Sequence, residues 1–248
     1  MELLTASLIT VRHGFPSRAG GVSVAPYDSL NSSIAVGDDP AAVKTNLLRL
    51  AAAAGVRPEQ LCFVTQVHGD RVVEAAKADA QTEADALWTD VPGTAVGVRT
   101  ADCLPILIED PRGRVAAVHA GWRGVISEIV ARTIEQLVSQ GAKVDELRVA
   151  IGPCIQRCCF EVDGALAERF AGSFGREVIV QVEGQPKPRL DLPRAVEQTL
   201  ERVGVLPGHV ATLPQCTMCE GRFFSHRREH GLTGRHLSFI SCAPAPSL

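Results

Sequence analysis

Apolar residues fall into short unbroken runs through the middle of the chain: "GTAVGVRT" (93–100), "CLPILIED" (103–110) and "RVAAVHA" (114–120). Runs of this length bounded by turn residues read as strands buried on both faces. Asp110-Pro111-Arg112-Gly113 supplies a tight turn between the second and third. After Gly124 the period changes. Val125, Ile126, Ile129, Val130, Ile134, Leu137 and Val138 share one helical face, and Gly141 ends the helix. Upstream, Asp39-Pro40 pairs an N-cap acceptor with proline at the first helical position, opening a helix that stops at Gly55. "LCFVTQVHGD" (61–70) reads as a strand ending at His68-Gly69, with "RVVEA" continuing beyond the turn. "ELRVAIGP", "HVATLP" and "LSFIS" are further strands, and "VDGALAERF" and "LPRAVEQTLERVG" further amphipathic helices. Residues 12–38, rich in Gly, Ser, Pro and Asn, form a long loop whose regular apolar spacing argues for order. No repeat or linker interrupts the pattern. It predicts one α/β domain over residues 1–248 with mixed sheets.

Composition narrows the classes of function. The chain has 248 residues, 46% of them hydrophobic and 21% charged, which is ordinary for a globular protein with a real core. The net charge is −3 with no basic stripe, so nucleic acid is not the expected partner. No apolar stretch approaches the roughly 20 residues of a membrane span. The N-terminus lacks the layout of a signal peptide. A cytoplasmic protein, monomer or homodimer, is expected. In that compartment the eight cysteines are thiols, not a disulfide framework.

Three strand ends carry metal-binding residue types: His68 before Gly69, Cys103 at the head of "ADCLPILI", and His119 before Ala-Gly. Taken singly, each has an ordinary reading. A histidine in an apolar strand is commonly a hydrogen-bonded core residue, and a cysteine a small buried hydrophobe. Taken together, two imidazoles and a thiolate make a zinc set with an open fourth position. Their separations, 35 and 16 residues, match no compact zinc-ligand spacing. In "HAGWRG", Arg123 offers a planar fork for phosphate or carboxylate, or a surface ion pair, and Trp122 a stacking face or a wall. Arg18 in "SRAGGVS" and Asn31 in "SLNSS" occupy the long loop, as an anion-binding turn or an ordinary one. Asp102 reads as an orienting group or a strand-start cap, and Glu161 as a helix-start acid rather than a proton-transfer group. "CTMC" (216–219) has C-x-x-C spacing but "CIQRC" (154–158) does not. Cys154, Cys158, Cys159, Cys216 and Cys219 are therefore expected as buried free thiols rather than a second, structural zinc site.

The ordered series "HGFPSRAGGVS…LN", "QVHG", "ADCLPILI", "VHAGWRG" and "IGPCI", with the tail "FFSHRRE…TGRHLSFI", closely resembles the YfiH-type family, also called laccase-domain, polyphenol-oxidase-like, purine nucleoside phosphorylase or peptidoglycan-editing factor. The chain departs from the family pattern at "LNSSI", "CIQRCCFEVD" and "CTMCEGRFFSHRRE". The resemblance implies an α/β fold of the α+β type, layered α/β/β/α with mixed sheets, similar to the cytotoxic-necrotizing-factor cysteine hydrolases. It implies that His68, Cys103 and His119 bind Zn2+ (Cu2+ being the other candidate) and are catalytic. Arg18, Asn31 and Arg123, by their residue chemistry, are expected toward the substrate. The activity implied is phosphorolysis of adenosine, inosine, guanosine and methylthioadenosine, with deamination of adenosine. The partners implied are a purine nucleoside and phosphate. The usual zinc deaminase signature is absent: there is no H-x-E, and "PQCTMC" is not P-C-x-x-C. Two other readings are hydrolytic removal of L-serine from a UDP-MurNAc cell-wall precursor, with Cys103 as nucleophile and His119 as base, and copper polyphenol oxidation. Seven histidines without an H-x-H pair weigh against a multicopper centre.

Overall fold

The computed structural model describes residues 1–243. Its strands begin with β1 (Leu3–Leu4), β2 (His13–Pro16), β3 (Leu61–Cys62), β4 (Val72–Glu74) and β5 (Ala86–Thr89). The central strands are β6 (Ala95–Thr100), β7 (Leu104–Asp110), β8 (Arg114–Ala120) and β9 (Arg148–Ile151). They are followed by β10 (Ile179–Val180), β11 (Arg189–Leu190), β12 (Val210–Thr212) and β13 (His236–Ser241). The helices are α1 (Pro40–Ala54), α2 (Trp122–Ile126), α3 (Ile129–Ser139), α4 (Gly164–Phe174) and α5 (Leu192–Val203).

The predicted hairpin is the centre of the molecule. β7 and β8 pair antiparallel from Leu104↔Ala120 to Asp110↔Arg114, and Gly113 closes the turn at φ 97° with its N–H on the Asp110 carbonyl. A six-stranded sheet, β12-β9-β7-β8-β5-β4, grows around this pair. A second sheet of five strands, β1-β2-β13-β6-β3, packs across it, and β10-β11 form a separate ribbon. The near-continuous apolar runs follow from this stacking. Ile106, Ile108, Ala116 and Val118 face the core formed with α2 to α5, whereas Leu107, Val115 and Ala117 face Val96, Val98 and Ile240 of the other sheet. The far side of the five-stranded sheet buries Ala95, Leu237 and Phe239 against Leu50, Ala51 and Ala54 of α1. The layers therefore run α/β/β/α, as the resemblance implied. Each fully buried Leu or Ile contributes about 1.5–3 kcal/mol.

The helix starts follow the capping signals. Asp39, Asp163 and Asp191 accept the amides of Ala41, Leu166 and Arg194 at 3.0, 2.7 and 3.1 Å. Two predicted elements differ. The single helix expected after Gly124 is two, α2 and α3, broken where Glu128 takes a left-handed φ of 58°. Ser127 Oγ donates to the Arg123 carbonyl at 2.9 Å there, a local bond that offers the backbone an alternative to the helix. The strand expected to run to His68 stops at Cys62. Beyond it, Gln66 takes the role of a strand neighbour: its side chain donates to the Arg99 carbonyl at 2.8 Å and accepts the Arg99 amide at 2.7 Å.

Residues 12–38 are ordered by long-range bonds. Asn46 of α1 is fully buried; its Oδ1 accepts the Val22 amide at 2.9 Å and its Nδ2 donates to Ser23 Oγ and to the Ser29 and Asn31 carbonyls.

His236, at the head of β13, supplies a test of the buried polar layer. Its Nε2 accepts the Phe224 amide at 2.8 Å, and the Phe223 and Phe224 rings flank it. Burial pushes its pKa down to about 3. The unfolded chain therefore takes up a proton near pH 6.5 that the folded chain refuses. His236 stabilises the fold fully above that pH, and the contribution falls on acidification at up to about 1.4 kcal/mol per pH unit. Urea denaturation from pH 7 to 4 should show the stability gap between the native chain and His236→Gln, which retains an acceptor, narrowing steadily below pH 6.5. A constant gap would show that His236 ionises freely in the fold.

Candidate metal centre and cavity

His68 and Cys103 lie in the two connections that pass from the five-stranded to the six-stranded sheet, β3 to β4 and β6 to β7, and His119 lies near the end of β8. One ligand atom from each lies within 4.8 Å of the others. His68 is exposed, Cys103 half-buried and His119 buried, so the group opens to solvent on one side. The backbone is shaped for this meeting. His68 and Asp102, beside Cys103, both hold left-handed φ angles, 59° and 89°, a conformation costly for residues other than glycine. Gly121 comes close against the site: a Cβ there would sit 3.0 Å from His68 Cδ2 and 3.2 Å from Cys103 Sγ, tight enough that both side chains would have to give way.

Asp85 holds these parts in register. It is fully buried at the head of β5. Its Oδ1 accepts the His68 amide at 2.9 Å and meets His119 Nδ1 at 2.8 Å. Its Oδ2 accepts the amides of Val67 and Gly69 at 3.2 and 2.7 Å. With Nδ1 turned to a carboxylate, His119 presents Nε2 to the site, the arrangement that orients metal-bound imidazoles.

The electrostatics of the cluster favour a thiolate. Burial raises the Cys103 thiol, but the His119 and His68 imidazoles beside it outweigh that and bring it down to about 6. Burial opposes charge on His119, yet the Cys103 sulfur and the Asp85 carboxylate carry it up to about 9. Two imidazoles and a polarised thiol, oriented by a buried carboxylate and approached closely by a glycine, fit a zinc-type ion in geometry and donor chemistry. Imidazole and thiolate also suit copper.

The triad lines a cavity of about 490 Å³, within the range of small-molecule sites. Arg99, Arg227 and Arg235 line it, with Gln66, Asp102, Trp122, Phe160 and His226. All three guanidiniums are anchored by backbone carbonyls. Arg99 donates to Ser32 O at 2.9 Å, Arg227 to Glu161 O at 3.1 Å, and Arg235 to Thr233 and Gly234 O at 2.9 Å. Burial lowers Arg99 to about 10 and Arg235 in the same direction, a cost that an incoming anion offsets. Asp102 is already satisfied by the Thr217 hydroxyl at 2.6 Å and the Arg227 amide at 2.7 Å.

The structure disposes the other candidates differently. Arg18 is outside the cavity lining, paired with Glu229 and Asp28 and lying over the Phe224 ring. Asn31 is fully buried; it donates to Asp38 and Ser33 and accepts the Arg235 amide at 2.9 Å, which fixes the backbone of a lining arginine. Arg123 is exposed, stacked 4.4 Å over Trp122. Glu161 pairs with Arg189. The cysteine expectation needs correcting. Cys154 and Cys216 are buried, but Cys158 and Cys219 are exposed and Cys159 half-exposed, and four of the five sulfurs form a cluster. Turns at 157–159 and 217–219 bring the cysteines together although only one pair has C-x-x-C spacing.

The fold and the site together define a two-sheet α/β/β/α protein with a candidate His₂Cys metal centre at the rim between its sheets. The chain belongs to the multi-copper polyphenol oxidoreductase laccase family, the YfiH-type family its motifs resemble, with residues 12–243 matched. A purine nucleoside phosphorylase of Deinococcus radiodurans is 40% identical over 241 residues, 97% of this chain and 92% of that protein. The crystal structure of a Bacillus licheniformis hypothetical protein YfiH superposes with a TM-score of 0.87 at 30% identity, covering 92% and 91% of the two chains. A Neisseria meningitidis protein gives 0.86 at 34%, covering 97% and 99%. No helix among the described residues is long and apolar enough to cross a membrane.

Proposed function

We propose that this chain is a zinc-dependent purine nucleoside phosphorylase acting on adenosine, inosine, guanosine and methylthioadenosine, with adenosine deamination as a second activity. One observation carries the reading: a cavity of nucleoside size is lined both by three guanidiniums, none anchored on a carboxylate, and by His68, Cys103 and His119. The name of the D. radiodurans relative supports it. In phosphorolysis a phosphate oxygen bonds to C1′ of the ribose, the C1′–N9 bond breaks, and the base leaves with a proton. His68, Cys103 and His119 would hold the zinc, which when bound would supply Lewis-acid stabilisation of an oxyanion. Arg99, Arg227 and Arg235 bind and orient the phosphate through charge-assisted bonds. Phe160 and Trp122 give the cavity apolar walls on which a purine can lie. Asp85 keeps the His119 ring from rotating during turnover.

The test is chromatography of zinc-loaded protein with inosine or adenosine, with and without phosphate. Free base that appears only with phosphate is expected, together with inosine formed from adenosine. Base release at the same rate without phosphate would mean hydrolysis. Negligible turnover would overturn the reading in favour of the seryl cell-wall precursor. Arg99→Gln and Arg235→Gln should each raise the phosphate KM by about 10- to 100-fold, the worth of one bond to a charged group, while moving the nucleoside KM less. Equal shifts in both would argue against a phosphate role.

A further inference from the structure

We infer that Cys158, Cys159, Cys216 and Cys219 form a second metal site, a four-sulfur structural zinc centre that fastens one wall of the cavity. The inference stands independently of the proposed activity. The four sulfurs lie within 4.8 Å of one another. Cys219 Sγ is 3.6 Å from Cys158 Sγ and 3.3 Å from Cys159 Sγ. Zinc–sulfur bonds of about 2.3 Å in a tetrahedron put sulfurs ~3.8 Å apart, so small side-chain rotations close the set around one ion. A disulfide needs about 2.05 Å, and all four cysteines are unbridged.

The surrounding backbone is built for ligation. Cys154 and Cys216 meet in a parallel bridge, with the Thr217 amide on the Cys154 carbonyl at 3.0 Å, which fixes the two turns side by side. One arm is the C-x-x-C turn, closed by the Glu220 amide on the Cys216 carbonyl at 3.0 Å. The other is the Cys158-Cys159 turn, closed by the Cys159 and Phe160 amides on the Gln156 carbonyl at 2.8 and 3.0 Å. The Gln156 amide points at Cys216 Sγ at 3.5 Å, the kind of donor that accompanies zinc-bound thiolates. Arg228, whose guanidinium pairs with Glu229 at 3.0 Å, donates to the carbonyls of Thr217, Met218 and Glu220 and so braces the C-x-x-C turn. The centre would form as Zn2+ plus four thiols gives a zinc tetrathiolate of charge −2 plus four protons. Four protein ligands leave no open position, so the centre is structural. Its exposed face, Cys158 and Cys219, gives the ion a way in.

The same two turns reach the cavity. Ile155 and Phe160 line it, and the Thr217 hydroxyl holds Asp102 beside Cys103. The experiment is zinc counting on the full chain, purified under reductant with zinc and freed of loose metal. Cys103→Ala should retain one zinc per chain, and Cys103→Ala combined with Cys219→Ser none. Cobalt loaded into Cys103→Ala should give the charge-transfer and visible bands of a four-sulfur tetrahedral site. On the unmutated chain, alkylation mapped by mass spectrometry should find all four cysteines protected by zinc and released together by a chelator. Cys103→Ala without zinc, equal alkylation with and without zinc, or recovery of disulfides among the four would each overturn the site. If the unmutated chain also holds a single zinc, the failure belongs to the His68–Cys103–His119 centre and leaves this one standing.

Discussion

Cys103→Ala should abolish phosphate-dependent base release, by at least about 10³-fold, and leave the fold intact. The sulfur is the one anionic donor beside two imidazoles. Removing it leaves a neutral two-histidine set, which binds zinc far more weakly. The loss in rate reflects the several kcal/mol by which a Lewis acid stabilises a developing charge. The side chain is half-buried and ends one connection rather than filling a core cluster, so truncation removes little packing. Zinc analysis, steady-state kinetics and thermal unfolding of the apo forms would check the three parts together. Retained activity with lost zinc would separate the ion from the chemistry. An apo melting point lowered by many degrees would make Cys103 a structural residue.

Asp85→Ala should cost about 3–5 kcal/mol of folding stability, the larger of the two effects on the fold. It removes the acceptor for three backbone amides, Val67, His68 and Gly69, and for His119 Nδ1. A buried donor left without a partner costs about 1–3 kcal/mol. Part of the deficit is recovered because the 67–69 turn lies near the surface and water can reach it. Zinc affinity should fall as well, by at least about 10- to 100-fold, the usual worth of a group that orients a metal ligand. Chemical denaturation of the apo protein and zinc competition against a chromophoric chelator read the two effects separately. Asp85→Asn should be milder in stability yet still weaken zinc, since an amide cannot accept from every donor that the carboxylate satisfies. Unchanged zinc affinity in both variants would show that His119 needs no orienting partner.

The parts of this molecule legible in the sequence are those set by local pattern. The β7–β8 hairpin shows in its two apolar runs and the Asp-Pro-Arg-Gly turn, and α1 in its Asp-Pro start and Gly stop. The triad was legible through the motifs "QVHG", "ADC" and "HAGWRG" taken together, since each residue singly has an ordinary reading and His68 and Cys103 lie in connections beyond the strands. Asp85 was not legible. In "TEADALW" it is one of two acids, and its role arises from bonds spanning 16 to 34 positions. The lining arginines were hidden for a related reason. Arg235 reaches the site because β13 pairs antiparallel with β6, His236 opposite Thr100, a register no local signal announces. Arg18 shows the converse. Its Gly-rich setting suggested an anion, but Glu229, 211 positions away, takes its charge.

The placement of the triad on two sheet-to-sheet connections and a strand end has a mechanical consequence. An ion held by His68, Cys103 and His119 is a clasp across the sandwich, because letting the sheets slide apart would pull its ligands in different directions. By mass action, zinc at 100 times its dissociation constant adds about 2.7 kcal/mol to the stability of the whole two-sheet body. On the proposed activity, the chain would be hardest to open in its metal-loaded, working state, so that metal supply would govern its stability together with its reactivity.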